Sequence, residues 1–484
     1  MNKIIRYGII GIGGMGANHA NLLLENKIEN GRLEAICDTN DTFSKNFPNI
    51  SFYKKTEDFF DKNLIDVAII STPHRSHIEL GKQALKNNIN IIIEKPLAVT
   101  KMQCREFIEF AKKYDAKFGI MLNQRTNPAF KKLKKMIMNQ ELGEIHRYQW
   151  TITDWFRTDY YYNISDWRAT WKGEGGGVLM NQSIHQLDLC QWLFGMPNSI
   201  ITDMRLGHFH NIEVEDEVTS ILKYQDGLKG IFTTTTGEAP GVNRLEIASE
   251  YGLVIYEDNC LTWKKLKEST SNYIKNSKTL FEKPSFEVLK FDFPHEDDQH
   301  IEHNRILQNF TNFLLGKEDL FVPGDQGINS VELINAMILS GLNKKEIVLP
   351  LSEEEYENKL EKMIGKNLYD TPMLQNSCTA QGFNYKMCYG NPTDHVCCNT
   401  EYTDKTRMYL NIMNHLDIDP VDYGNSIVFD DDQSNLETAR GLGFKTCQAS
   451  LNCGGSYCTQ GCGIPMGCSQ LVTSTDEDDL VGVV

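Results

Sequence analysis

Gly11, Gly13 and Gly16 stand in a G-x-G-x-x-G arrangement, Gly11-Ile12-Gly13-Gly14-Met15-Gly16, and Asp38 follows twenty-two residues after the last glycine. Glycines so spaced allow a tight turn, close approach of the backbone to a pyrophosphate and close helix–strand packing, and a carboxylate at that distance suits ribose hydroxyls. Asp38 is followed by Thr39-Asn40, with no adjacent arginine to receive a 2′-phosphate, so NAD is expected over NADP. Lys95, in Glu94-Lys95-Pro96, is suited to proton transfer, because a neighbouring positive nicotinamide disfavours an ammonium and draws its pKa toward neutrality. A surface lysine is the plain alternative. A third group follows Gly175-Gly176-Gly177, where a helix pattern sets Asn181, His185 and Asp188 at i, i+4 and i+7 on one face. An imidazole among such neighbours can relay a proton to or from a hydroxyl, against the plain alternative of a satisfied core histidine.

The elements that must position these groups are written in the hydrophobic pattern. The apolar run over residues 4–10 feeds the glycine turn, a helix is predicted over 17–26, and a second apolar run, 33–37, ends on Asp38. Further strands are expected at 66–72, stopped by Pro73, at 90–94, and at 117–122, with helices over 77–87 and 101–114. Strands alternating with helices predict a doubly wound parallel sheet, in which ligands bind beyond the carboxyl ends of the strands. Gly11, Asp38, Ser71-Thr72-Pro73 with His77, Glu94-Lys95 and Asn123 fall at or just after those ends and are expected to line one crevice. From residue 124 the character changes. A helix over 128–140 precedes strand-like runs at 146–153, 200–206, 218–224, 228–235, 243–248 and 253–256, joined by turns such as Gln225-Asp226-Gly227, as in an antiparallel sheet. Helical patterns return at 303–315 and 326–343. The domains are therefore expected at 1–123 and 124–365.

Composition narrows the class. The chain has 484 residues, too many for one core, with 40% hydrophobic and 24% charged residues. A net charge of -16 argues against nucleic acid as a partner. No run approaches the ~20 apolar residues of a membrane span and no signal pattern precedes the first strand, so a cytoplasmic protein is expected. Cys37, Cys104, Cys190 and Cys260 sit in apolar contexts that suit reduced thiols, whereas the other nine of the thirteen cysteines lie beyond residue 370. Residues 371–484 hold five Lys/Arg against fourteen Asp/Glu. There the spacings of Cys453, Cys458, Cys462 and Cys468 do not match paired C-x-x-C zinc knuckles, and no metal site is expected; residues 451–484 read as a disordered tail. Trp155, Phe156, Tyr160, Tyr161, Tyr162, Trp167 and Trp171, interleaved with Asp154, Arg157, Asp166 and Arg168, suit either the C–H faces and hydroxyls of a sugar or an oligomer interface.

Gly11 to Gly16, Glu94-Lys95-Pro96 and the Gly-Gly-Gly…His185…Asp188 segment together resemble the glucose-fructose oxidoreductase/inositol dehydrogenase (Gfo/Idh/MocA) family, over about three quarters of the chain. The resemblance implies an NAD(P)-binding Rossmann domain and a C-terminal α/β domain whose large open antiparallel sheet forms a homo-oligomer contact. It further implies oxidation of a hydroxyl on a sugar, cyclitol or nucleotide sugar. By resemblance Lys95 and His185 are the catalytic pair, and Trp167-Arg168 lies in a segment that reaches nicotinamide and substrate; Trp155, Arg168 and Asn181 join the substrate residues. Many members carry Asp where this chain has Asn181, and an amide orients but takes no proton. A redox-neutral glycoside hydrolase or epimerase-like enzyme and a non-catalytic dinucleotide sensor are the alternatives. Residues 371–450 are similar to the C-terminal half of haloacid dehalogenase-like phosphatases, which would put the motif lysine on Lys405 and the magnesium-binding acids on Asp430 and Asp431. The D-x-D-x-T nucleophile segment is absent, so a fragment without phosphatase activity is expected.

Overall fold

The computed structural model describes residues 3–61, 63–293 and 300–365, and beyond them the backbone of four strands. Six parallel strands form the first sheet: β1 (Ile5–Ile10), β2 (Gly31–Cys37), β3 (Ser51–Tyr53), β4 (Val67–Ile70), β5 (Asn90–Ile93) and β6 (Phe118–Ile120), in the order β3-β2-β1-β4-β5-β6. The order reverses between β1 and β4, and a crevice for ligand opens at such a switch point. Val67 to Ile70 and the isoleucines of β5 are buried on both faces, which is why those strands are unbroken apolar runs. The helices between them are α1 (Gly14–Leu24), α2 (Thr56–Phe59), α3 (His77–Lys86) and α4 (Lys101–Ala111). The first begins three residues earlier than the apolar pattern suggests, inside the glycine motif. Thr100 caps α4 by accepting from the Gln103 N–H, and Asn127 followed by Pro128 starts α5 (Pro128–Met138) by accepting from the Ala129 N–H.

The second sheet has nine strands: β7 (Ile145–Ile152), β8 (Ser199–Leu206), β9 (Glu215–Lys223), β10 (Lys229–Thr235), β11 (Asn243–Ser249), β12 (Gly252–Glu257), β13 (Cys260–Leu266), β14 (Phe286–Asp292) and β15 (Ile347–Val348). Their order is β14-β13-β12-β11-β7-β10-β9-β8-β15. It is antiparallel except where β7 lies parallel to β10, a pairing that hairpin turns cannot supply and that the long excursion over residues 153–198 makes possible. That excursion holds α6 (Asp159–Asn163), α7 (Val178–Asn181) and α8 (Ile184–Phe194); α9 (Thr270–Asn276) joins β13 to β14. Three helices follow: α10 (Ile301–Leu314), α11 (Gly327–Asn343) and α12 (Glu353–Gly365).

One face of the second sheet and helices α5, α8 and α11 share one core, with Trp150, Phe232, Leu245, Leu187 and Met337 fully buried. The other face leaves Ile201 and Ile221 exposed. Ile306, Leu307 and Phe310 of α10 pack instead with the parallel strands, and Tyr7 on β1 meets Thr311 through a 2.7 Å hydroxyl–hydroxyl hydrogen bond. Buried Asn335 on α11 accepts from the Lys101 N–H (2.8 Å) and donates to the Val99 carbonyl (3.0 Å), which fixes the chain just beyond β5.

Beyond Gly365 the chain forms a separate compact unit. In it β16 (Ile427–Asp430) runs parallel to β17 (Lys445–Ser450), with β18 (Cys458–Gln460) and β19 (Gly482–Val483) antiparallel at the two sides. The apolar strand expected before the acidic run is thus present as backbone. Lys405, Asp431 and the side chains of Asp430 and the cysteine-rich run lie outside the described residues.

Candidate active site

The glycine turn leaves open space beside the start of α1. Gly11 leaves β1 at φ 83°, and a Cβ there would lie 2.5 Å from the Ser71 carbonyl oxygen; one on Gly16 would lie 1.8 Å from the Gly11 carbonyl oxygen. Neither position admits a side chain. Gly13 and Gly14 face open space, with nothing within 4 Å of where a Cβ would stand, and no side chain caps α1. Its first N–H groups, beside Met15, are left for an anion. Asp38 closes the turn, its Oδ2 accepting from the Ile12 N–H (2.7 Å) and its Oδ1 from the Asn40 N–H (2.8 Å), and each oxygen keeps a second lone pair. Ser71, Thr72 and Pro73 follow β4 directly. Asn123, just after β6, donates to Glu302 (3.0 Å), while its buried Oδ1 has no hydrogen-bond partner. An open cradle, a ribose acid and an orphaned acceptor fit a dinucleotide. His77 lies in the scaffold, its ring set between the Pro96 and Thr72 carbonyls with a nitrogen 2.8 Å from each, at the ends of β5 and β4.

On the reaction side, Glu94 ends β5 and accepts from His19 Nε2 of α1 (2.7 Å) and from the Lys95 N–H (3.2 Å). Burial pushes its carboxyl up, but the His19 hydrogen bond and the neighbouring His303 and Lys95 outweigh it and hold the group at about 2. Lys95 Nζ donates to the Asn181 carbonyl (2.8 Å) and to Asn181 Oδ1 (3.3 Å). Burial lowers its pKa, opposed by Glu94 and Glu174. Burial, then the charge of Lys95, drives the His185 pKa well down, so the ring is neutral at neutral pH. Its Nδ1 is buried without a partner, and Trp155 stacks along the ring at 6.4 Å while donating to Gln186 (3.3 Å). Arg168 donates to the Tyr161 hydroxyl (2.5 Å), and the guanidiniums of Arg168 and Arg157 stand 4.5 and 4.9 Å from the Tyr161 ring. Both arginines keep a buried Nε–H without a partner. Trp167 meets His74 edge-on at 5.2 Å, and His74 Nδ1 donates to the Glu174 carbonyl (3.1 Å), joining this segment to the end of β4.

The structure corrects the expected single helix face. α7 stops at Asn181 and α8 starts at Ile184, so Asn181 and His185 sit on different helices around a break at Gln182-Ser183. Asp188 points away from both. Its two oxygens accept from Arg125 Nε and Nη2 (2.7 Å each) in a buried bidentate pair, and Gln191 adds a third hydrogen bond (2.9 Å). Its role is to lock α8 to the turn after β6. Sequence reasoning passed over Glu174, which accepts from Asn181 Nδ2 through Oε1 and from the Ala169 N–H (2.7 Å) through Oε2. Its place directly before three glycines was the available signal.

Residues 5–121 match the family described as "Oxidoreductase family, NAD-binding Rossmann fold", and residues 130–255 match the "GFO/IDH/MocA C-terminal domain". The chain is 29% identical over 209 residues to the uncharacterized oxidoreductase YdgJ of Escherichia coli (strain K12), covering 42% of this chain and 58% of that one. It spans about half the length of the curated relatives it matches. Among solved structures it resembles the WlbA dehydrogenase from Chromobacterium violaceum in complex with NADH and UDP-GlcNAcA, with a TM-score of 0.61, 24% identity, and 73% of this chain and 98% of that one covered. Levoglucosan dehydrogenase in complex with NADH and levoglucosan gives a TM-score of 0.60 at 18% identity, over 72% of this chain and 100% of that one. These structural likenesses establish the fold. No helix among the described residues is long and apolar enough to cross a membrane.

Proposed function

We propose that this chain, which carries the NAD-binding and the C-terminal domains of the GFO/IDH/MocA family, oxidises a hydroxyl of a sugar, cyclitol or nucleotide sugar. Gly11 to Gly16 and Asp38 would hold NAD, which when bound would supply the hydride acceptor. The observation that carries the reading is the placement of Lys95 Nζ on Asn181, beside neutral His185, just past the end of β5. An ammonium has three donors; two are used on Asn181, and the third is free for the substrate oxygen. There it stabilises the alkoxide character that develops as the C–H bond breaks. The hydroxyl proton passes to the accessible Nε2 of His185, the general base. Trp155 and Tyr161 supply the apolar plates that a sugar ring requires.

The sugar-bearing relatives named above, levoglucosan and UDP-GlcNAcA among their ligands, favour this substrate class. A panel of free sugars, cyclitols and nucleotide sugars assayed with NAD at 340 nm tests it. Net NADH formation with at least one of them is expected, and conversion of a sugar with no net NADH would establish the redox-neutral alternative instead.

A further inference from the structure

Asn181 lies between a group that can only donate and a group that can only accept. On one side the Lys95 ammonium donates to its Oδ1 and carbonyl; on the other the Glu174 carboxylate receives its Nδ2–H. The amide can satisfy both in one orientation alone, oxygen toward lysine and nitrogen toward glutamate. Glu174 is 2% exposed, and its second oxygen is engaged by the Ala169 N–H. A buried carboxylate requires such compensation, and here it comes from a backbone N–H, an amide and the nearby cations. A carboxylate at 181 would instead face a carboxylate at 174. Residues 174 and 181 are therefore a matched acid and amide, not two independent side chains.

We infer that Glu174 is a positioning residue for the proton-handling lysine: acting through Asn181, it fixes the amide oxygen on Nζ and supplies the negative charge that sets the Lys95 ammonium. The inference rests on the reading of Lys95 given above. Around Lys95 the acids are Glu94 and Glu174 and the cations Arg157 and Arg168. The imidazoles of His74, His77, His185 and His303 also face it, each held toward the neutral form by burial. Glu174 in turn feels Arg168 and Lys95, and it couples to Glu215 and Tyr162. Burial raises its carboxyl to about 6, so its charge, and with it the hold on Lys95, falls away in mildly acidic solution.

The test is competitive acetylation of the full chain with acetic anhydride, with Lys95 followed by mass spectrometry from pH 6 to 10. Glu174→Gln keeps the shape but removes the charge, so the Lys95 pKa falls and its labelling at pH 7 rises about threefold to tenfold. NAD affinity stays near that of the parent chain. Glu174→Gln with Asn181→Asp returns the charge from the other side of the pair and brings labelling back to or below the parent level. Asn181→Ala, which removes the Oδ1 acceptor but leaves the Glu174 charge in place, also raises labelling, and adding Glu174→Gln raises it further by less than the two separate effects combined. Unchanged labelling in Glu174→Gln, no rescue by the double variant, or fully additive effects would overturn the inference. If Glu174→Gln does not fold, the Asn181→Ala result and the rescued double variant still decide. Labelling needs no substrate: the expected shifts with no sugar oxidised would overturn the proposed function alone, and normal oxidation without the shifts would overturn the role of Glu174 alone.

Discussion

Lys95 has three donors and two acceptors in reach, and His185 has one buried and one accessible nitrogen; these two small imbalances are what the proposed chemistry uses. Lys95→Met, which keeps the stem and removes the ammonium, is expected to lower kcat/KM by ~10²-fold or more, as is His185→Ala, with NAD affinity nearly kept. Steady-state kinetics on the first oxidised sugar checks both, and normal turnover in the two variants would rule out this proton route. Asp38 faces the glycine turn with no basic neighbour at Thr39-Asn40, so titration should give tighter binding of NAD than of NADP. The sequence alone led to Lys95 and Asp38 because each sits at a junction of strand and turn, where pattern is strong, and to His185 because a helix pattern follows three glycines. The link from Glu174 to Asn181 was not readable: it joins residues seven apart across three glycines, and no periodicity describes such a loop.

At the scale of elements, two buried groups make α7 and α8 what they are. Arg125 and Asp188 are each 1% exposed and pair bidentately, so Arg125→Met strands a buried carboxylate and is expected to cost about 3–5 kcal/mol in denaturant unfolding. Arg125→Met with Asp188→Leu should recover most of that loss; no recovery would mean that the pair matters for more than charge balance. Glu215, fully buried, accepts from the Gly177 and Leu179 N–H groups at the start of α7, and burial raises its carboxyl to about 7. The unfolded carboxyl titrates near ~4.3, so the folded chain holds an extra proton between these values, a contribution complete below ~4.3 and lost as pH rises through about 7. Glu215→Gln should therefore gain on the parent chain by on the order of 2–3 kcal/mol between pH 5 and pH 8. Equal differences in melts at the two pH values would show that Glu215 is charged throughout. Five of the six parallel strands were readable as apolar runs; β3 was not, since Ser51, Phe52 and Tyr53 are exposed or half-buried and lie in a polar stretch. β13 and β14 were not, since Lys264-Lys265 and the mostly exposed 286–292 run carry no such signal. The helix pattern through Asn181, His185 and Asp188 was misread because a break between two short helices leaves the apolar pattern intact.

At the scale of the whole molecule, Met1–Gly365 is one compact unit with its own two cores, and a chain ending near Gly365 is expected to fold, melt cooperatively and bind NAD like the full chain. Residues 371–484 alone are expected to show no Mg²⁺-dependent hydrolysis of a phosphate ester. Loss of NAD binding on truncation, or hydrolysis abolished by Asp430→Asn, would contradict these expectations. Within Met1–Gly365 the parallel sheet draws Ile306, Leu307, Phe310 and Val322 from far downstream into its core. The consequence concerns synthesis. As the chain leaves the ribosome, the first six strands emerge long before the helix that seals them, and their apolar flank stays open while eight of the nine strands of the second sheet, β7 to β14, are being made. A nascent chain halted at residue 293 holds every residue assigned to the dinucleotide cradle yet still lacks that seal, so the cofactor becomes a folding ligand only late in translation.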